Sequence, residues 1–163
     1  MDQEIARQII ADFVKASQDT LIGRMGITIT DASADRVSGS MPVDGNTQPY
    51  GLLHGGASCV LAETLGSLGA ALHAGPGRYT VGVEISATHH RAVASGEVTG
   101  VATRLHGGRT ITTYEIVISD EEGRRVCTSR LTCLLRDRVP GSDHDGRDPA
   151  SPVPNFTSRE NRT

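Results

Sequence analysis

Cysteine is scarce in this chain. Cys59, Cys127 and Cys133 form no CxxC pair and no metal-ligand cluster. A sparse, odd set argues against a disulfide scaffold and fits a reducing, cytoplasmic setting. A basic excess is also missing, since 16 lysines and arginines face 19 acids for a formal net charge of -3. That disfavours a general binder of nucleic acid or of anionic membranes. Lysine itself is nearly absent: Lys15 stands alone and arginine supplies the remaining positive charge. No apolar run is read as approaching the roughly 20 residues of a membrane-spanning helix. The opening MDQEIARQIIADF places acids before its short apolar stretch and offers no small-residue cleavage site, so no secretory signal is expected. No internal repeat is visible.

What remains, 163 residues with 37% hydrophobic and 21% charged, suits one domain with a real core. Ile5, Ile9, Ile10, Phe13 and Val14 fall at helical spacing, so residues 3–16 predict a short amphipathic helix. Two apolar-alternating pieces, Leu21–Thr30 and Arg36–Val43, flank a turn-like Asp31–Asp35 stretch and suggest a hairpin. Residues 44–53, DGNTQPYGLL, read as a loop, and 54–73 as one long helix. Four alternating segments follow, around Tyr79–Ala87, Val98–Leu105, Ile111–Ile118 and Val126–Leu135, punctuated by glycines. Successive strands with short connections imply an antiparallel sheet, and strands segregated from helices point to an α+β fold. From residue 139 onward the chain turns to Pro, Ser, Asp, Gly and Arg. The expected division is therefore a folded domain over 1–138 and a disordered tail over 139–163.

The long helix, HGGASCVLAETLGSLGAAL, is apolar on nearly every face and so is expected to be buried. Glu63 is the one charged side chain inside it. An ionised glutamate is rarely buried without a partner. Either it pairs with a strand arginine, or it reaches solvent at a helix edge, or it is a catalytic carboxylate. Ser67 lies four residues on, along the same face, and reads as a hydroxyl that holds the carboxylate or as a small packing residue. His54-Gly55-Gly56 places side-chain-free amides at a helix N-terminus, where an oxyanion could be held. The same glycines also suit a tight turn into the helix, with His54 in a supporting role. Gly55 and Glu63 lie roughly 12 Å apart along a helix axis. If both act on one carbonyl, the carboxylate comes from a second copy of the chain, which implies a dimer. His89 and His90 lack a third ligand residue nearby, so no metal site is expected. Cys59 reads as an inert core thiol. Arg91, Arg104, Arg109 and Arg136, at strand ends or in the Gly107-Gly108 turn, are candidates for phosphate contact.

The segment NTQPYGLLHGGASCVLAETLGSLG, Asn46 to Gly69, resembles the signature of the hotdog-fold acyl-CoA thioesterases. It is most similar to the branch that hydrolyses 4-hydroxybenzoyl-CoA and related aryl or acyl thioesters, and the likeness runs from about Ile5 to Arg136, through VGVEISATHHRAV and LHGGRTITTYEIVISDEEGRRVCTSRLTCLL. The resemblance implies a long helix wrapped by a curved antiparallel sheet, subunits paired through their sheets, and dimers that associate into tetramers. It implies that Glu63 is the catalytic carboxylate, that the Gly55 amide and Gln48 hold the thioester carbonyl, that Ser67 positions the carboxylate or its water, and that His54 shapes the turn into the helix. It also implies that Gly82, the stretch His89, His90, Arg91, Ala92, and the stretch His106, Gly107, Gly108, Arg109, Thr110, Ile111 hold the coenzyme A portion. No cofactor, metal, nucleic acid or membrane partner is implied; the partners are an acyl-CoA substrate and other copies of the chain. Two other readings compete. One is a hotdog dehydratase, whose histidine lies on a different segment. The other is an acyl-CoA sensor without turnover, for which only the tail offers a foothold.

Overall fold

The computed structural model describes residues 3–75 and 77–137, so the tail expected over 139–163 lies outside the described residues. Two helices, α1 (Gln3–Ser17) and α2 (Leu21–Arg24), precede β1 (Thr28–Ala32) and β2 (Arg36–Pro42). The long helix α3 (Gly55–Ala74) follows, then β3 (Arg78–His89), β4 (Glu97–Gly107), β5 (Ile111–Ser119) and β6 (Arg125–Asp137). All six strands form one antiparallel sheet in the order β1-β2-β4-β5-β6-β3.

The hairpin over the first half is present, but its first strand is shorter than expected. Leu21–Arg24 is a helical turn, not a strand. The turn is packed against the end of α1, where a Cβ on Gly23 would meet the backbone oxygen of Ser17 at 2.7 Å. Gly26, at φ 67, releases the chain into β1. The meander β4-β5-β6 matches expectation, whereas β3 crosses over to the far edge beside β6.

By length and composition alone, α3, with 20 residues, is long and apolar enough to cross a bilayer. The expectation that no run was long and apolar enough is therefore corrected. Its apolar surface is used against the sheet, where Leu61, Leu65, Leu68 and Ala70 are fully buried with Val37, Met41, Val98, Ile116 and Leu131. The helix touches every strand. Six strands spaced about 4.8 Å apart are far wider than a helix of about 10 Å, so the sheet must curve around it. Close approach explains the glycines that weaken the helix on propensity alone. A Cβ on Gly66 would sit 2.6 Å from Leu131 Cδ2, and one on Gly69 would sit 2.7 Å from Tyr114 Cε1.

Tyr114 is fully buried beneath the helix, and its hydroxyl donates to the Ala34 carbonyl at 2.6 Å. Burial pushes its pKa up to about 12. An unfolded tyrosine titrates near 10, so above that pH the unfolded chain loses its proton first and is favoured. Unfolding free energy in urea is expected to fall as pH rises from about 10 towards 12, and Tyr114→Phe should remove that share of the fall. An unaltered alkaline slope in the phenylalanine variant would contradict this assignment.

Candidate active site

The loop before α3 is stitched from within. Asn46 donates its side-chain amide to the carbonyls of Met25 and Pro42 at 2.9 and 2.8 Å, and its own carbonyl accepts from the His54 amide at 2.9 Å. An isolated bridge joins Thr47 to Leu53, and the Gln48 amide donates to Leu52 at 2.8 Å. Gln48 thus sits on a closed loop beside the helix start. His54 is the N-cap residue: its backbone is extended, and its Nδ1 accepts from the Gly56 amide at 2.8 Å. A backbone hydrogen bond of this kind is what a supporting role would use. The first amides of a helix have no intrahelical acceptor. With that of Gly56 taken by the His54 ring, the Gly55 amide is the donor left at the mouth of the helix.

That amide opens on a cleft of about 340 Å³. Of the expected residues, Gln48, Gly55, His89, His90, Arg91 and Ala92 line it. The glycine at 55 has a local cause: a Cβ there would lie 2.8 Å from His89 Nε2. His90 meets Thr128 through Nε2 at 2.9 Å, and Arg125 donates to the same hydroxyl at 3.2 Å. Leu52, Leu53 and Val126 supply apolar wall. Ser58 also lines the cleft and was missed, although its place three residues after Gly55, on the same helix face, was a readable signal.

Glu63 requires a correction. It is exposed in the single chain, not buried. The sheet covers one side of α3, and Glu63 lies on the uncovered strip beside β3, one of the two edge strands of the sheet. Its Oε1 is 3.4 Å from where a Cβ on Gly82 would stand, so Gly82 belongs with the carboxylate in this chain. Among the described residues Glu63 forms no ion pair and no side-chain hydrogen bond. The strand-arginine alternative is therefore not realised, and the carboxylate reaches solvent at the helix edge. The thiols of Cys133 and Cys59 lie near it. Burial pushes the Cys133 thiol up to about 11, with the Ser67 hydroxyl opposing and the Glu63 charge assisting. Cys59, half-buried rather than in the core, is likewise raised by burial, then by Cys127 and Glu63.

The remaining expected residues, His106 to Ile111, form the β4–β5 turn near the C-terminal end of α3. A helix of 20 residues is about 30 Å long, so this turn and the Gly55 cleft lie far apart in one chain. Arg104 is not free for phosphate, because it pairs with Asp35 and His73.

A single helix held in a curved antiparallel sheet, with a glycine-opened N-terminus over a cleft, is the hotdog arrangement, and the chain belongs to the thioesterase superfamily, which it matches over residues 50–127. It is similar to the proofreading thioesterase EntH of Cronobacter sakazakii, at 54% identity over 120 residues, covering 73% of this chain and 88% of that protein. A thioesterase from Haemophilus influenzae superposes with a TM-score of 0.77 at 38% identity, covering 83% of this chain and 94% of its own. A hypothetical thioesterase from Streptococcus pneumoniae, crystallised with coenzyme A, shares the fold at a TM-score of 0.66 and 22% identity, covering 79% of this chain and 98% of its own. The chain is a thioester hydrolase.

Proposed function

We propose that this thioesterase hydrolyses an aryl or medium-chain acyl-CoA to the free acid and coenzyme A at a site shared by two copies of the chain. The observation that carries the proposal is the separation of the two chemical halves. The Gly55 amide, with Gln48 beside it, opens a cleft at one end of α3. The carboxylate lies eight residues further on, uncovered, at a free sheet edge. β3 is 12 residues long, and its Val81 and Val83 are 46% and 51% exposed. A long apolar edge strand is a template for pairing with another chain. Two β3 strands meeting antiparallel bring the Glu63 strip of one copy towards the Gly55 cleft of the other, and cover both. The same pairing brings the β4–β5 turn of one copy to the helix start of its partner, so that the separated coenzyme A residues converge. A fold relative crystallised with coenzyme A agrees with this substrate class.

In the proposed reaction, the Gly55 amide and Gln48 polarise the thioester carbonyl and hold the oxyanion as it forms. Glu63 of the second copy either attacks the carbonyl carbon, giving a mixed anhydride that water then cleaves, or takes a proton from the attacking water. In both routes the carbon–sulfur bond breaks with its electron pair leaving on sulfur. A thiolate leaves readily, so no strong acid is required. The expected setting is the cytoplasm, and two dimers associating give the tetramer the family resemblance implies. An acyl-CoA panel read by free-thiol detection tests the proposal: release of coenzyme A from benzoyl, phenylacetyl or straight-chain esters is expected, and no release from any of them refutes it.

A further inference from the structure

We propose that His73, Arg104 and Arg78 are positioning residues that set the β4–β5 turn so that the backbone amides of Arg109 and Thr110 face the phosphates of coenzyme A. The inference rests on the acyl-CoA reading above and adds to it residues that lie outside the turn. His73 stands in the last turn of α3 and reaches across to the turn, its Nε2 lying 3.1 Å from the Gly108 carbonyl. Its Nδ1 is 2.8 Å from Arg104 Nη1. A guanidinium can only donate, so Nδ1 accepts, the proton is on Nε2, and the neutral ring donates to Gly108. Arg104 is anchored in turn by Asp35. Arg78, at the start of β3, donates Nη2 to the Arg109 carbonyl at 2.6 Å and Nε to Asp137 at 2.8 Å. The next carbonyl, of Thr110, accepts from the Leu135 amide at 2.9 Å.

Three successive turn carbonyls are thus held by three different elements of the fold. In a trans peptide the N–H points opposite to the preceding C=O. Holding the Gly108 carbonyl against α3 and the Arg109 carbonyl against β3 therefore turns the amides of Arg109 and Thr110 to the opposite sides of their peptides, away from those elements. Neighbouring outward amides make a concavity for an anion. The exposed Arg109 side chain adds charge at the same place. An exposed turn ordinarily leaves its carbonyls to water. Ordering an arginine side chain to hold one instead costs rotamer freedom, which suits a turn whose conformation matters. Gly107 fits the same scheme: a Cβ there would lie 2.9 Å from His73 Cε1, so glycine lets the ring pass.

The test compares one acyl group on two carriers, coenzyme A and N-acetylcysteamine, which lacks the nucleotide and its phosphates. His73→Phe keeps the ring volume and removes both hydrogen bonds. Its KM for the coenzyme A ester should rise about fivefold, the scale of a lost hydrogen bond or two, while kcat and KM for the N-acetylcysteamine ester stay at parental values. His73→Gln, whose carboxamide can accept from Arg104 and donate to Gly108, should restore the KM. Arg78→Gln should reproduce the His73→Phe pattern, and carries the test if the phenylalanine variant does not fold. Equal rises for both esters, or no rise for either, overturn the proposal. If the parent protein hydrolyses neither ester, the acyl-CoA reading fails instead. Calorimetric titration with free coenzyme A then decides the turn: weaker binding in His73→Phe supports it, and equal binding overturns it.

Discussion

Glu63→Gln is expected to lower kcat for acyl-CoA hydrolysis by about two orders of magnitude or more, the scale of a lost acid–base or nucleophilic group. The variant keeps the shape of the side chain and removes its negative charge, so neither attack on the carbonyl nor activation of water survives. The structure makes this substitution unusually clean. Glu63 is exposed and has no ion pair or hydrogen bond among the described residues. Within the chain the replacement therefore breaks no such contact. Turnover should collapse while circular dichroism and the mass in solution stay at parental values. Parental turnover in the glutamine variant would make Glu63 a solvated helix residue and remove the chemical half of the proposal.

The second large effect concerns the sheet edge. Val81→Asp combined with Val83→Asp places four carboxylates along a β3–β3 seam. Like charges facing across paired strands repel, and the valines supply much of the apolar surface exposed there, at 46% and 51%. Sedimentation should then report the mass of one chain, 17.2 kDa, in place of its multiple. Turnover should fall with it by about 100-fold or more, because Gly55 and Glu63 would no longer meet on one carbonyl. Circular dichroism should show the sheet and α3 intact, since both side chains point away from the core. A monomer with undiminished activity would show that one chain completes the site alone.

Much of the fold was readable because period carries it. The 20 residues of α3 and the alternation of β4, β5 and β6 stand close to where the pattern put them. The turn at Leu21–Arg24 was misread, since LIGRMGI alternates like a strand while the steric fit of Gly23 against α1 is a tertiary matter. Strand order was not readable, because the crossover through α3 carries β3 to an edge that hydropathy does not mark. The burial of Glu63 was overestimated for a related reason. Apolar neighbours in sequence show that a helix is buried somewhere, but not which strip the sheet leaves open. His54 and Gly55 were legible as a local motif, and Gln48 only through the family resemblance. The His73–Arg104 contact, which joins residues 31 apart, left no mark in composition or spacing.

The thiols of Cys59 and Cys133, near Glu63, bear on product fidelity in the proposed reaction. Any cysteine beside an activated thioester could in principle accept the acyl group by exchange, leaving a stalled acyl-protein. Only the thiolate is a competent acceptor. Burial keeps Cys133 protonated up to about pH 11 and raises Cys59 and Cys127 as well. The two thiols near Glu63, Cys59 and Cys133, are thus both held towards the protonated form, which in the proposed site leaves the acyl group to oxygen.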